Sequence, residues 1–302
     1  MKILITGSNG LLGQHLVKLL RSNPGNEVIA TARGANRLND EQGYIYVPMD
    51  ICQANQVEKV LEKWRPGAII HTAAMTQVDD CERQPEKCHD VNVLGTKNLL
   101  TWTKRADAFL LLLSTDFIFD GRNGPYREED PPQPISHYGQ SKLDAEYLVR
   151  THLQQWAIAR TVLVYGMAED MSRSNIILWV KGELEQGHPI RVVDDQWRTP
   201  TLVQDLAMGC SLITARRARG VFNISGKDML TPYGMAIKTA DFFGLDKSLI
   251  QKADASSFSQ PARRPPRTGF ILDKAIQQLG YDPHSFDEGL RMLAADLKKN
   301  PH

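Results

Sequence analysis

A tyrosine and a lysine at helical spacing are the side chains best placed for acid–base chemistry. Tyr138 and Lys142 lie four residues apart in HYGQSKLDAEYLV, and of the eight tyrosines only Tyr138 has a lysine four positions further on. This spacing puts both side chains on one face of a helix. Because a neighbouring ammonium favours the phenolate, we expect Lys142 to lower the pKa of Tyr138 and make it a proton donor near neutral pH. A chance pair on a helix surface is the alternative.

Two hydroxyl side chains close a strongly apolar segment and are suited to bind a carbonyl oxygen. AFLLLLST, at 108 to 115, ends in Ser114 and Thr115 and is followed by Asp116. Ligands of open α/β sheets bind outside the carboxyl ends of the strands. We therefore expect Thr115, rather than Ser114, to hydrogen-bond the carbonyl oxygen that Tyr138 protonates as a hydride arrives. A bond to a neighbouring backbone group is the alternative role of either hydroxyl.

A glycine triplet directly after the first predicted strand is suited to bind a phosphate. Gly7, Gly10 and Gly13 occur in GSNGLLG, between the apolar segment KILIT and the amphipathic segment LLGQHLVKLLRS. The first glycine permits a tight turn, the second lets the backbone approach a pyrophosphate, and the third lets helix and strand pack closely. The helix N-terminus directs free N–H groups at the anion. The sequence therefore predicts a dinucleotide site at this turn.

Charged residues after the next two predicted strands indicate which dinucleotide is bound. Arg33 follows the second strand, where NAD enzymes usually place an acidic residue that accepts hydrogen bonds from the ribose. A cation there suits the 2′-phosphate of NADP, so we expect NADP(H) to be preferred. NAD(H) is the alternative if Arg33 is only a solvated charge. Asp50 follows the third strand with Ile51 and is expected to flank the adenine, although an aspartate before a helix is also a frequent cap.

The first half of the chain alternates apolar segments with amphipathic ones. The apolar segments predict strands buried on both faces, namely KILIT (2 to 6), EVIATA (27 to 32), GYIYVPM (43 to 49), GAIIHT (67 to 72), AFLLLLST (108 to 115) and AIARTVLVYG (157 to 166). Helical patterns such as QVEKVLEKW at 56 to 64 lie between them. Repeated strand–helix units predict an α/β fold with a doubly wound parallel sheet, the Rossmann architecture.

The second half predicts a smaller C-terminal α/β lobe that binds the substrate. Its expected elements are a helix near 175 to 186, a strand near 189 to 194, a helix at 203 to 216, a strand at GVFNIS, and helices at 273 to 279 and 286 to 298. We expect a dinucleotide-binding domain at 1–166, with a returning segment near 200–226. The smaller lobe then comprises 167–199 and 227–302.

The composition argues against several other classes of function. Lys plus Arg (36) nearly balances Asp plus Glu (35) in the 302 residues, so neither nucleic acid nor an anionic membrane is an expected partner. The four cysteines lack zinc-ligand spacing and the eight histidines include no HExxH pair, so we expect no metal site. The first apolar run ends at Thr6, too short for a secretory signal, and no later run reaches membrane-spanning length. A cytoplasmic protein is therefore expected.

Several motifs together resemble the dTDP-4-dehydrorhamnose reductase (RmlD-like) family of extended short-chain dehydrogenases/reductases. They are GSNGLLG, HTAAMTQVDDCE, VNVLGTKNLL, STDFIFDG and PYREEDPPQPISHYGQSKLDAE, with a weaker continuation through DQWRTPT and RRPPRTGFILDKA. The resemblance implies a catalytic trio of Thr115, Tyr138 and Lys142. It also implies cofactor contacts at Gly7, Gly10, Leu11, Leu12, Gly13, Asp50, Ile51, Ala73, Ala74, Thr76, Tyr138 and Lys142, and substrate contacts at Val78 and Asp79.

Two departures from the family pattern bear on the substrate. Leu163 stands where the family tends to carry a tryptophan, and Arg198 stands where it often has a small residue. Loss of an aromatic side chain removes a stacking surface. The guanidinium of Arg198 could bind a phosphate or carboxylate, so Arg198 is a further candidate substrate-binding residue.

The main hypothesis is an NADPH-dependent reductase of a keto group on a nucleotide-linked deoxy sugar, as in dTDP-rhamnose biosynthesis. An epimerase or dehydratase that recycles its bound nucleotide is the second hypothesis. A non-catalytic regulatory subunit that retains the fold is the third. Turnover of added NADPH separates the first hypothesis from both others, because neither of them consumes it. The helices flanking the sheet could also form a homodimer.

Overall fold

The computed structural model describes residues 1–170 and 174–299. Its strands are β1 (Lys2–Thr6), β2 (Glu27–Ala32), β3 (Ile45–Pro48), β4 (Ala68–His71), β5 (Phe109–Thr115), β6 (Trp156–Thr161), β7 (Val164–Tyr165), β8 (Ile190–Val193), β9 (Thr201–Leu202), β10 (Gly220–Asn223) and β11 (Ile250–Ala253). Its α-helices are α1 (Leu11–Arg21), α2 (Ala54–Trp64), α3 (Val78–Arg83), α4 (Pro85–His89), α5 (Gly95–Arg105), α6 (His137–His152), α7 (Ile176–Glu185), α8 (Val203–Arg216), α9 (Pro232–Phe243), α10 (Asp273–Leu279) and α11 (Phe286–Lys299). Within the described residues, no helix is both long and apolar enough to cross a bilayer.

A parallel sheet in the order β10-β6-β5-β4-β1-β2-β3 forms the centre of the molecule. Side chains alternate between its faces, so Ile3 and Ile5 pack with Leu16 of α1, whereas Leu4 packs with Leu61 of α2. Both faces are therefore covered by helices. The predicted doubly wound Rossmann sheet is confirmed.

Two of the predicted strands differ from expectation. The segment 157–166 is not one strand, because Leu163 has a φ of 36° and turns the chain out of the sheet; β6 stays in the sheet and β7 pairs with β9 instead. The prediction that 43–49 is buried on both faces is also wrong. It forms β3, which has β2 on one side only, and Ile45 is 36% exposed. An edge strand has one neighbour fewer to cover it.

The elements expected after residue 166 are all present among the described residues. β8 and β11 pair in parallel and pack with α7 and α9 around Val180, Ile190 and Ala236. α8 packs against α1, and β10 joins the central sheet beside β6. Residues 171–173 and 300–302 of the predicted lobe lie outside the described residues. The division of the chain into two domains stays a prediction.

Candidate active site

The glycine turn after β1 is too tight for side chains at two of its three positions. Gly7 has a φ of +71°, and a Cβ there would lie 2.7 Å from the Ala73 backbone nitrogen. A Cβ on Gly13 would lie 2.2 Å from the Gly7 carbonyl oxygen, whereas one on Gly10 would lie 3.3 Å from it. Gly13 thus lets α1 approach the turn, and the bare backbone of Gly10 leaves room for a ligand.

The same turn presents hydrogen-bond donors. α1 begins at Leu11, and its N-terminal residue Gly10 provides no side-chain cap, so Leu11 and Leu12 open the helix with N–H groups free for an anion. Ser8 is buried, and its Oγ has no hydrogen-bond partner among the described residues. A buried orphan hydroxyl beside a helix N-terminus fits a pyrophosphate that would satisfy it. The residues present therefore fit a dinucleotide.

Gly13→Ala is expected to weaken dinucleotide binding by at least tenfold and to cost about 1–3 kcal/mol of unfolding free energy, because the new methyl forces α1 away from the turn. Gly182→Ala in α7 is the matched control, since a Cβ there meets no atom within 4 Å. It should slightly stabilise the chain. Titration with NADPH and urea unfolding measure both effects; unchanged binding by the Gly13 variant would contradict the assigned role of this turn.

Arg33 lies exposed just after β2, in a loop that Asn9 holds in place. The Asn9 Nδ2 donates to the Ala35 carbonyl at 2.7 Å, and the Arg37 backbone N–H donates to Asn9 Oδ1 at 3.1 Å. Arg37 is a second cation in this loop, which sequence reasoning missed; its guanidinium pairs with Asp170 at 3.3 Å. The structure thus brings two guanidinium-bearing residues to the end of β2, linked to the glycine turn through Asn9.

Asp50 and Ile51 lie after β3, where an adenine edge is expected. The Asp50 carboxylate accepts from the Cys52 backbone N–H at 2.9 Å, so it shapes the turn before α2 rather than capping that helix. Ile51 is buried against Gly95, where a Cβ would lie 2.7 Å from the Ile51 side chain. Gly95 therefore lets α5 approach the loop.

Ala73, Ala74 and Thr76 follow β4, and the Ala73 backbone borders the glycine turn at Gly7. The Ala73 backbone N–H donates to Thr6 Oγ1 at 3.2 Å, which ties this loop to β1. Asn92, in the helical turn that leads into α5, holds this loop: its Oδ1 accepts from the Met75 backbone N–H at 2.8 Å and its Nδ2 donates to the Met75 carbonyl at 3.0 Å. Sequence reasoning did not single out Asn92. The motif VNVLGTKNLL, which contributes to the family resemblance, contains Asn92 but does not indicate the role of this side chain.

Thr115 and Tyr138 meet at the carboxyl end of β5. The hydroxyl of Thr115 hydrogen-bonds the Tyr138 phenol, and the Tyr138 ring packs edge-on against Phe117, with ring centres 5.8 Å apart. Ser136 caps α6 by accepting from the Gly139 backbone N–H at 3.2 Å. Because that cap fixes the first turn of α6, it fixes the direction of the Tyr138 side chain.

The expectation that Lys142 lowers the pKa of Tyr138 is not met. Burial raises the pKa of the Tyr138 phenol, and the hydrogen bond with Thr115 opposes that shift only in part. The phenol is therefore held in its neutral form, the form that can donate a proton. Sequence reasoning failed here because the depth of burial depends on elements distant in the chain.

Lys142 is buried on α6, one turn after Tyr138. Burial lowers the pKa of its ammonium to about 8, while the nearby Glu146 carboxylate opposes the shift. Glu146 lies one further turn along α6. Arg160 of β6 donates two hydrogen bonds to its carboxylate, from Nε at 3.0 Å and from Nη2 at 2.9 Å. Both partners of this ion pair are buried. A fixed negative charge thus lies behind the lysine.

The lowered pKa of Lys142 predicts a stability effect whose sign is set by linkage. The folded chain releases this proton near pH 8, whereas an unfolded lysine holds it to about 10.4. The cost of burying the charge is therefore fully present below pH 8 and is relieved as the pH rises towards 10. We expect Lys142→Met to raise the unfolding free energy by about 1–3 kcal/mol at pH 7, and by little at pH 10.

Urea unfolding of Lys142→Met at both pH values measures this, with the exposed Lys97→Met as control. A Lys142 variant that is no more stable than wild type at pH 7 would contradict the assigned burial cost.

The predicted substrate residues Val78 and Asp79 open α3, next to the proton donor. Asp79 is already engaged: Arg264 donates to its carboxylate at 2.8 and 3.2 Å, and the Ala262 backbone N–H donates to it at 3.2 Å. The Arg264 guanidinium lowers the pKa of Asp79. Asp79 therefore joins α3 to the proline-rich loop at 261–267.

The guanidinium of Arg198, which the sequence predicted to bind a substrate anion, is buried against backbone carbonyls instead. Its side chain is only 5% exposed, and its guanidinium donates to the backbone carbonyls of Trp197 and Pro265, each at 2.7 Å. It also faces Asp116, whose carboxylate accepts from Thr115 at 3.1 Å and from Thr268. Because its donors are occupied, Arg198 positions the loop at 261–267 against the end of β5.

A cavity of ≈ 490 Å³ lies beyond Asp79, between α7 and β8. Trp179, Phe258, Arg191 and Arg264 are among the side chains that line it. The Arg191 guanidinium lies 5.6 Å from the centre of the Phe258 ring. The cavity thus offers flat aromatic faces and two cations, and Arg264 connects it to the Tyr138 side of the site through Asp79.

Comparisons with known proteins show the family to which this fold belongs. The family model described as "RmlD substrate binding domain" matches residues 1–299. The crystal structure of dTDP-4-dehydrorhamnose reductase from Bacillus anthracis in complex with NADP is similar with a TM-score of 0.85 at 26% identity, covering 98% of this chain and 99% of that chain.

Two curated relatives have different descriptions. Methionine adenosyltransferase 2 subunit beta from Pongo abelii is 32% identical over 284 residues, which cover 92% of this chain and 82% of that protein. A probable low-salt glycan biosynthesis reductase from Haloferax volcanii is 29% identical over 300 residues, which cover 98% of each. With a family match along nearly its whole described length and a Rossmann fold shared with these reductases, the chain belongs to the RmlD substrate binding domain family of extended short-chain dehydrogenases/reductases.

Proposed function

We propose that this protein is an NADPH-dependent reductase of a keto group on a nucleotide-linked deoxy sugar. The observation that carries the proposal is the buried, neutral phenol of Tyr138, hydrogen-bonded to Thr115 and followed by Lys142 at the carboxyl end of β5. This constellation lies at the same carboxyl edge of the sheet as the glycine turn that fits a dinucleotide, with β4 between the two strands concerned. A neutral acid, a hydroxyl donor and a cation are the groups that carbonyl reduction needs.

The residues have separate roles in the proposed reaction. NADPH, when bound, supplies the hydride. Thr115 and Tyr138 hydrogen-bond the substrate carbonyl oxygen, and Tyr138 transfers its proton to that oxygen as negative charge develops there. Lys142 would hold the ribose of the bound nicotinamide nucleotide through its ammonium. Glu146 and Arg160 hold the far side of α6 and so keep Lys142 in register with the strand.

The cofactor preference rests on Arg33. We expect Arg33→Ala to weaken NADPH binding by about 10- to 100-fold, because a charge-assisted bond to the 2′-phosphate is lost, and to leave NADH binding unchanged. Arg105→Ala, at the exposed end of α5, is the control and should change neither affinity. Titration with both nucleotides measures this. An equal loss of affinity for NADH and NADPH would show that Arg33 does not bind the 2′-phosphate.

The cavity beside α7 supports a nucleotide-linked substrate. A base can stack on Trp179 or Phe258, and Arg191 and Arg264 can neutralise a diphosphate. A sugar extending past Asp79 from such a diphosphate would reach Thr115 and Tyr138. The dTDP-4-dehydrorhamnose reductases among the structural relatives act on a substrate of this kind, as their name states.

The direct test is NADPH oxidation, followed by absorbance, with a panel of carbonyl compounds led by dTDP-4-keto-6-deoxy sugars. We expect turnover of the nucleotide sugar and none of the free keto sugar at the same concentration. Trp179→Ala should raise KM for the nucleotide sugar with little change in kcat. Equal reduction of free and nucleotide-linked sugars would overturn the nucleotide part of the proposal.

A second candidate function is that of a non-catalytic subunit of another enzyme. It is favoured by the 32% identity to methionine adenosyltransferase 2 subunit beta, which is named as a subunit of an enzyme. Such a protein would bind the dinucleotide and reduce nothing in the panel. Tight NADPH binding without turnover of any carbonyl compound would favour this candidate over the reductase.

A further inference from the structure

Two cysteines pack with Tyr138 in one buried cluster. Cys81 of α3 and Cys88 of α4 form one buried apolar cluster with the Tyr138 ring, bordered by Met75, Val78 and Phe117. The Cys81 thiol donates to the Met75 carbonyl at 3.6 Å, and each of the two cysteines shifts the pKa of the other. They belong to short helices that meet at Gln84, so a small shift of either helix changes the distance between the sulfurs.

The surroundings of the two thiols shift their pKa values in opposite directions, raising that of Cys81 and lowering that of Cys88. The interaction with Cys81 is the main cause that lowers the pKa of Cys88 to about 7, helped by Ser141, whose Oγ lies 3.4 Å from the sulfur, and by the charge of Lys142. Asn92 Nδ2 also donates to this sulfur, at 3.5 Å. Cys88 therefore has thiolate character at neutral pH, with a second thiol in contact with it, which is the arrangement of an attacking and a resolving cysteine.

The other two cysteines lack these features. Burial and the Asp50 carboxylate raise the pKa of Cys52, and burial raises the pKa of Cys210 to about 12. Cys52 is nevertheless the more exposed residue, whereas Cys81 and Cys88 are buried. Exposure alone would therefore direct an oxidant to Cys52 first, and thiolate character would direct it to Cys88.

We propose that Cys81 and Cys88 are a redox modification site, at which a peroxide forms a disulfide that impairs the neighbouring Tyr138. The Cys88 sulfur attacks a peroxide oxygen, the O–O bond breaks, and the hydroxide that leaves takes up a proton as water. The Cys81 sulfur then attacks the resulting sulfenic acid; the S–O bond breaks, and the leaving hydroxide takes the Cys81 proton as a second water. The peroxide is reduced by two electrons and the two thiols are oxidised to one disulfide.

The disulfide is connected to Tyr138 by packing and by hydrogen bonds. Closing the sulfurs to the length of about 2.05 Å typical of a disulfide draws Cys88 away from Ser141 and Asn92. Ser141 Oγ donates to the Tyr138 carbonyl at 2.8 Å, and Asn92 holds the loop at Met75. A displacement of about 1 Å at a proton donor can reduce turnover by up to about a hundredfold. This effect on turnover rests on the proposed reductase function; formation of the disulfide does not.

Peptide mapping of the full chain after graded hydrogen peroxide, with remaining free thiols alkylated, tests the site itself. We expect peptides containing Cys81 and Cys88 to become disulfide-linked before Cys52 or Cys210 loses its thiol. In Cys81→Ser, which keeps a polar hydroxyl beside Cys88 but cannot form a disulfide, a sulfenic acid should persist on Cys88 and react with dimedone. Oxidation of Cys52 in the wild-type chain, while Cys81 and Cys88 both remain alkylated as free thiols, would overturn the proposal. This outcome does not depend on the folding of the variant.

NADPH turnover of the same samples tests the link to Tyr138. We expect kcat to fall about tenfold or more in parallel with the disulfide and to recover with dithiothreitol, and Cys52→Ser to behave as wild type. A disulfide that forms without any change in kcat would overturn the link while leaving the modification site in place. A chain that shows no turnover before oxidation would refute the reductase, and the peptide map would still decide the site.

Discussion

Tyr138→Phe is expected to reduce kcat with the nucleotide sugar by about 10²- to 10⁴-fold and to leave NADPH affinity within about twofold of wild type. A general acid contributes a factor of this size, and the phenol is the group that donates the proton. The change removes one oxygen and keeps the ring, so the edge-on contact with Phe117 remains. Steady-state kinetics and NADPH titration measure the two effects separately.

Tyr147→Phe is the matched control for this variant. Tyr147 lies on the same helix, α6, but is 67% exposed, so its hydroxyl should have no part in the reaction. Retention of full turnover by Tyr138→Phe would show that another group supplies the proton. Loss of turnover in both variants would point to a general effect on α6 rather than to proton transfer.

Arg160→Ala is expected to reduce the unfolding free energy by about 3–5 kcal/mol. The change leaves the Glu146 carboxylate buried without its main partner, and removing one member of a buried ion pair typically has a cost of this size. It also removes the donor at 3.0 Å to the Glu128 carbonyl. At present burial opposes ionisation of Glu146, but the hydrogen bonds and charge of Arg160 outweigh it and lower the pKa of that carboxyl.

Arg150→Ala is the control, because Arg150 contacts the same carboxylate at 2.9 Å from a partly exposed position. We expect a cost below about 1 kcal/mol, as for exposed pairs. The double variant Arg160→Met with Glu146→Leu should recover part of the loss, because no unpaired charge stays buried. Urea unfolding of the four proteins measures this. Equal costs for Arg160→Ala and Arg150→Ala would contradict the importance of burial.

These two predictions differ in how far the sequence could lead to them. Tyr138 and Lys142 were identified from their spacing, since four residues is a property of the helix itself and needs no partner. The pairing of Glu146 with Arg160 joins a helix to a strand, and no local pattern connects the two. Asn92 and Arg37 were missed for the same reason: their contacts are with loops that follow other strands.

Two expectations were wrong at the level of single residues. Arg198 was expected to offer a free cation to the substrate, but its donors bind backbone carbonyls of a loop more than sixty positions away. The segment 157–166 was expected to be one strand, but it turns at Leu163. In both cases the outcome depended on a partner elsewhere in the chain: the loop at 261–267 for Arg198, and β9 for the residues that follow Leu163.

The sequence by itself determined the alternating strands and helices, the glycine turn and the shared face of Tyr138 and Lys142. These features depend on periodicities and conformational preferences that act over a few residues. Only the tertiary structure decided that Tyr138 is held as a neutral phenol, that Lys142 is buried with a lowered pKa, that Arg264 engages Asp79, and that Cys81 meets Cys88. Burial and charge pairing depend on which distant segments fold against a residue, and this becomes defined only when the sheet and its helices have packed together.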